Sequence, residues 1–236
     1  LMNCLEWLPI YFGILKAGCI AVPMNFRYSS DEIRYCLDLA DVEVLVFGPE
    51  FIGRVEAVAD KISRSCHLIY MGAGCPVFAD DYRDLISECS GMFPPCELEE
   101  ADEAAIYFSS GTTGFPKGVM TTHLNLVYSA VSVHQACPTT KMFCCLPIHH
   151  AFCFTANITK SVCRGKTVCV NDNLANIIQD LRLFRPDSIV AVPQLVKKIM
   201  GAAIKYAASK PEMNQTDAIQ EFLGGNIIDI ISGGAP

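Results

Sequence analysis

Residues 107–118 read Tyr-Phe-Ser-Ser-Gly-Thr-Thr-Gly-Phe-Pro-Lys-Gly, and their types and spacing suit the holding of an anion with several oxygens. Ser109, Ser110, Thr112 and Thr113 supply hydroxyl donors beside backbone N–H groups, the composition of an anion nest. Gly111, Gly114 and Gly118 let the chain turn tightly and approach a ligand closely. Lys117 adds a mobile positive charge of the kind that meets phosphates. The segment is not the NTPase P-loop, which requires G-x-x-x-x-G-K-[ST]; here Pro116 precedes the lysine and Gly118 follows it. A polar turn that happens to hold a lysine is the plain alternative, and the density of hydroxyls and glycines outweighs it.

A second concentration lies at 144–153, where Cys144, Cys145, His149, His150 and Cys153 crowd together. Zinc is the obvious test for such a set. The spacing matches no standard zinc pattern, and adjacent side chains on an extended segment point to opposite sides, so no metal site is expected. His67, His123 and His134 read as ordinary surface or core histidines.

The elements that must carry these residues alternate between periods of two and 3.6. Leu5, Leu8, Phe12 and Leu15 predict a helix ending at Gly18, and 20–22 a short strand stopped by Pro23. Ser29 and Glu32 have capping-box spacing ahead of a helix. The apolar run 42–47 predicts a strand buried on both faces. A helix over 52–63, a strand over 67–71 and a short helix over 82–88 follow. Beyond them come strands at 104–108, 141–146, 167–170 and 188–192, helices at 125–135, 152–162, 174–184 and 195–209, and an apolar run at 227–231. This is an α/β chain of repeated βα units, with parallel strands, helical crossovers and helices packed on two sheet-containing subdomains. Residues 90–103 combine Gly, two Pro and five acids. They divide the chain into a first βα subdomain (1–90), an acidic, Pro-containing connection (91–103) and a second subdomain (104–236) that contains the anion loop.

Composition narrows the class. Of 236 residues, 51 % are hydrophobic and 18 % charged, enough to build a sizeable core. The net charge is −7 with no basic arm or stripe, which argues against nucleic acid as a partner. Mean hydropathy is +0.31, yet no stretch reaches the roughly 18 apolar residues of a spanning helix. Thirteen cysteines, odd in number and without a CxxC, read as reduced thiols in a cytoplasmic protein. Residues 1–18 have no basic segment followed by an apolar one, so no secretory leader is expected.

Ser109–Gly118 resembles the phosphate-binding signature of the adenylate-forming superfamily: acyl-CoA synthetases, aryl-CoA ligases, luciferases and nonribosomal adenylation domains. Tyr11–Gly18 with Val22-Pro23 is similar to the family's early helix and strand. Leu146–Phe152 is similar to its substrate-side motif, and Ser232–Pro236 to the segment forming one wall of its adenine pocket. The fold implied is part of the large N-terminal domain. The activity implied has two halves: a carboxylate attacks the α-phosphate of Mg²⁺-ATP to give acyl-adenylate and pyrophosphate, and a thiol, usually coenzyme A, then takes the acyl group. The resemblance assigns the phosphates to Ser109, Ser110, Gly111, Thr112, Thr113, Gly114 and Lys117. It assigns the adenine to Gly233, Gly234, Ala235 and Pro236, and charge stabilisation near the reacting carboxylate to His150, with Lys117 as the second catalytic group.

Amino-acid-activating relatives carry an Asp in the substrate-side motif, and 146–152 holds no acid, so an acid with a neutral tail is favoured. Phe222-Leu-Gly-Gly-Asn, Arg185-Pro-Asp and Val192-Pro-Gln look most like medium- or long-chain fatty acyl-CoA synthetases. The run 152–158 either lines an apolar acyl tunnel or is plain core. The family's later segments, its Mg²⁺-holding Glu and its small C-terminal domain, have no counterpart in 1–236, so the missing domain is an expected partner and these residues alone are expected not to form acyl-adenylate. Two alternatives stand beside this reading: an enzyme loading a carrier protein, and a nucleotide-binding fragment without turnover.

Overall fold

Trp7, Tyr11 and Leu15 form the buried stripe of α1 (Trp7–Lys16). The helix lies where periodicity placed it, but the stripe is rotated: Leu5 is 75 % exposed. Aromatic rings decide the rotation, because Trp7 stacks on Tyr11 at 5.2 Å and the Tyr11 hydroxyl meets that of Tyr107 at 3.0 Å. The helix ends in a Schellman pattern, with Gly18 N–H bonded to Leu15 and Cys19 N–H to Ile14. Gly18 has φ +73°, and the Cys96 sulfur occupies the place a Cβ would take.

The computed structural model describes the chain apart from residues 63–65, 94, 110–113, 115, 133–137 and 235–236. It consists of two units, Leu1–Leu124 and Asn125–Pro236. In the first, Ser29 caps α2 (Ser30–Leu39) through a reciprocal pair: Glu32 N–H donates to Ser29 Oγ at 3.3 Å, and Ser29 N–H to the Glu32 carboxylate at 2.8 Å. A three-stranded parallel sheet follows, β1 (Val44–Phe47), β2 (His67–Tyr70) and β3 (Asp80–Asp81), in that order. β1 is not buried on both faces as its composition predicts: Leu45 and Phe47 are buried on one face, while Val44 on the other is 49 % exposed. α3 (Ile52–Ala59) and α4 (Tyr82–Glu88) complete the alternation. Ile33, Leu37, Leu45, Phe47, Val55, Val58 and Tyr70 pack as one core.

The parallel rhythm then breaks. β4 (Glu103–Ser109) is paired antiparallel with β5 (Lys117–Thr122), a strand that sequence reading did not place. The expected strand at 20–22 is reduced to one parallel bridge between Ala21 and Ala105. Pro23 has no N–H to extend it. α5 (His123–Ser132) starts directly after β5, and the His123 and Leu124 amides donate to the Asp102 and Glu100 carbonyls. The acidic segment is thereby fastened to a helix start, where negative charge is favourable.

In the second unit, β6 (Lys141–Cys144), β7 (Thr167–Val170), β8 (Ser188–Ala191) and β9 (Asp229–Ser232) form a parallel sheet in the order β7-β6-β8-β9. Asp187 sets the register of its two central strands. Its carboxylate accepts from Thr140 N (2.6 Å), Thr140 Oγ1 (2.9 Å) and Lys141 N (2.9 Å). The crossover from β6 is a continuous helical run: α6 (Ala151–Cys153), a π turn (Phe154–Thr159) and α7 (Lys160–Cys163). Thr155 and Thr159 hydroxyls bond back to the Ala151 and Thr155 carbonyls, competing with backbone donors in the π turn. α8 (Ile177–Phe184), α9 (Pro193–Ala208) and α10 (Gln215–Phe222) cover the sheet. α10 was not anticipated; its start is marked by Asn214, whose side chain accepts from Thr216 N. Among the described residues no helix is long and apolar enough to cross a membrane.

Candidate active site

The anion loop joins β4, which ends at Ser109, to β5, which begins at Lys117. Register pairs Phe108 with Gly118 and, at the end of the ladder, Ser109 with Lys117. Ser109 Oγ donates to the Lys117 carbonyl across it at 3.4 Å. The loop follows a strand as expected, but both of its ends are held by one antiparallel ladder, which the reading of parallel βα units did not include. β4 is in turn anchored by buried Ala104, Ala105 and Tyr107. Burial pushes the Tyr11 phenol up to about 12 and Tyr107 higher still, so this buried hydroxyl pair stays neutral. Gly114 has φ +131°, a conformation only glycine adopts readily. Gly114 and Lys117 are exposed. Ser110, Gly111, Thr112 and Thr113 lie outside the described residues.

The second unit gathers the other expected residues at the carboxyl edge of its sheet, where open α/β folds bind ligands. β6, β8 and β9 run parallel, so Cys144, Ala191 and Ser232 end on the same side. His150 caps α6: its Nδ1 accepts from Phe152 N–H at 3.3 Å. A neutral imidazole whose Nδ1 accepts carries its proton on Nε2. The exposed His150 ring therefore presents an N–H donor, the role required near developing negative charge.

Gly233 and Gly234 follow β9, and Gly233 N–H bonds to the Ala191 carbonyl at 3.3 Å. The Phe152 ring lies against both. A Cβ at Gly233 would stand 3.1 Å from Phe152 Cζ. Two residues after His150, Phe152 thus links the histidine motif to the glycine wall, a contact that sequence reading missed because nothing local announces it. Ala235 and Pro236 lie outside the described residues.

Cys144 and Cys153 face one another with sulfurs 3.4 Å apart, while Cys145 turns away to the Val190 carbonyl. Burial lifts the Cys145 thiol to about 12. Among the described residues no group of three or more His, Cys, Asp and Glu is placed to hold a metal. Within 152–158, Cys153, Phe154, Asn157 and Ile158 are buried, while Phe152, Thr155 and Ala156 are half-buried.

These features define a class: an α/β domain of the adenylate-forming fold. The architecture matches a crystal structure of the anthranilate CoA ligase AuaEII in complex with anthranoyl-AMP, with a TM-score of 0.80 over 97 % of this chain and 48 % of that one, at 22 % identity. The chain belongs to the family described as AMP-binding enzyme, which it matches over residues 1–236. Among curated relatives it is 27 % identical, over 86 % of its length, to the long-chain-fatty-acid–CoA ligase FadD15 of Mycobacterium bovis, and covers 35 % of that protein. It is 25 % identical, over 97 % of its length, to the chloroplastic long-chain-fatty-acid–[acyl-carrier-protein] ligase AEE15 of Arabidopsis thaliana, and covers 34 % of it. The chain thus spans about a third of the length of these relatives.

Proposed function

We propose that this chain is part of an ATP-dependent ligase that activates a medium- or long-chain fatty acid as its acyl-adenylate and passes the acyl group to coenzyme A. The observation that carries the reading is His150, fixed by its bond from Phe152 N–H as an Nε2 donor beside the Gly233–Gly234 wall. In the reaction a substrate carboxylate oxygen attacks the α-phosphorus of ATP, forming the acyl–phosphate bond as the bond to pyrophosphate breaks. His150 donates toward the carboxylate and α-phosphate oxygens as charge builds there. The purine lies on the backbone of Gly233–Pro236. Ser109–Gly114 and Lys117 hold the β- and γ-phosphates that depart, and positioning with charge neutralisation supplies most of the acceleration.

Neutral acids are favoured by the chemistry of 146–152, which offers no carboxylate to a substrate ammonium. The test is ATP–pyrophosphate exchange by the complete enzyme across carboxylic acids of increasing chain length. Exchange driven by fatty acids and lost in His150→Ala supports the reading; exchange driven only by amino acids, or by no acid, overturns it. A second reading, transfer to a carrier protein, draws on the likeness to AEE15 over nearly the whole chain. Thioester formation assayed with coenzyme A and with a phosphopantetheinyl carrier protein separates the two.

A further inference from the structure

Cys144 and Cys153 stand at the two ends of the segment that carries His149 and His150. Cys144 closes β6 and Cys153 closes α6. Both are buried, 0 % and 1 % exposed, and their sulfurs lie 3.4 Å apart. Both also point at one acceptor, the Leu146 carbonyl, at 3.9 and 3.4 Å. A disulfide needs sulfurs at about 2.05 Å, so closing the remaining gap brings the two ends of the segment closer together. The third thiol of the cluster is committed elsewhere, since Cys145 faces Val190 on β8. The pairing is therefore specific.

We propose that Cys144 and Cys153 form a reversible intrachain disulfide that clips the base of the His149–His150 loop. With a peroxide as oxidant, one thiol gives a sulfenic acid and water; the second thiol attacks that sulfur, forming the S–S bond and releasing a second water. A dithiol reductant returns both thiols. The hydrogen bond Cys144 shares with Cys153 and its burial both raise the Cys144 pKa, so the closed pair holds its protons and reacts when the loop opens. Oxidation draws the ends of the loop together, displacing the His150 cap and the Phe152 ring that rests on Gly233–Gly234. The clip belongs to the chain whether or not the proposed ligase activity is correct.

The test is peroxide treatment of the native protein, followed by intact mass, thiol counting and peptide mapping under non-reducing conditions. A mass loss of about 2 Da, two fewer titratable thiols and a linked Cys144–Cys153 peptide, all reversed by dithiothreitol, are expected. Cys153→Ala and Cys144→Ala each abolish the linkage, and Cys145→Ala leaves it. A link through Cys145, or sulfinic acid at Cys144 or Cys153 without any disulfide, overturns the proposal. So does survival of both thiols while exposed Cys19 and Cys89 are oxidised. Mapping on the unsubstituted protein does not depend on whether a variant folds. In the complete enzyme, oxidation is expected to lower acid-dependent exchange at least tenfold, reversibly, and to leave the Cys153→Ala variant unaffected. Unchanged exchange in fully clipped enzyme overturns the link between clip and site; absence of exchange before oxidation counts against the proposed activity instead.

Discussion

The Phe152 ring packs on Gly234 so closely that a Cβ added there would stand 2.7 Å from Phe152 Cδ1. Gly234 also has φ +77°. Gly234→Ala meets both obstacles: left-handed backbone costs an L-residue about 1–2 kcal/mol, and the ring must move. The variant is expected to lower the denaturation midpoint, and exchange activity in the complete enzyme is expected to fall about tenfold for each 1.4 kcal/mol lost at the site. Adding Phe152→Ala removes the clash but not the strained φ, so stability recovers in part. Full recovery would show that backbone strain contributes nothing.

Much of this was readable from spacing, because the signals were local. Ser29 and Glu32 announce their helix through a motif four residues long, and the capping box is present. What was not readable depended on partners remote in sequence. β5 has three exposed residues among its apolar and small ones and gains its identity from pairing with β4. The rotation of α1 follows from Tyr107, 96 residues away. In the same way, His150 was visible as a candidate by motif, while the bond fixing its tautomer and the Phe152 contact with Gly234 emerge only once β6 and β9 share a sheet edge.

Lys117→Ala separates binding from folding. The side chain is exposed on β5, and its backbone carbonyl, which accepts from Ser109, survives the change. Stability is expected to shift by no more than about 0.5 kcal/mol. Exchange by the complete enzyme is expected to slow by about a hundredfold, the scale of removing one charge-stabilising donor. An unchanged rate discards the role proposed for this lysine.

Asp187→Asn probes the clamp between β6 and β8. Burial alone would raise this carboxyl's pKa, but the donors from Thr140 and Lys141 outweigh it and hold the pKa below its usual value. A carboxyl with a depressed folded pKa stabilises the fold above its unfolded pKa of about 3.9, and that contribution is lost as pH falls through the lower folded value. The variant is expected to be less stable by about 2 kcal/mol at neutral pH and to lose less on acidification than the parent. Urea unfolding of both proteins at neutral and acidic pH measures it; parallel pH profiles would remove Asp187 from the account.

Lys160 makes the opposite prediction at the other end of the pH scale. It is 1 % exposed at the junction of the π turn and α7. Burial lowers its pKa, the nearby Arg164 and Lys166 lower it further, and Asp229 opposes them. An unfolded lysine titrates near 10.4, so between the lowered folded pKa and that value the unfolded chain binds more protons and stability rises with pH. Lys160→Met keeps most of the volume and removes the buried charge. It is expected to be more stable at neutral pH, by about 1–3 kcal/mol, and to lack the alkaline rise. Chemical denaturation of the parent and variant at neutral and mildly alkaline pH tests both points. A Met variant less stable at neutral pH would mean that attraction to Asp229 outweighs the cost of burying the ammonium.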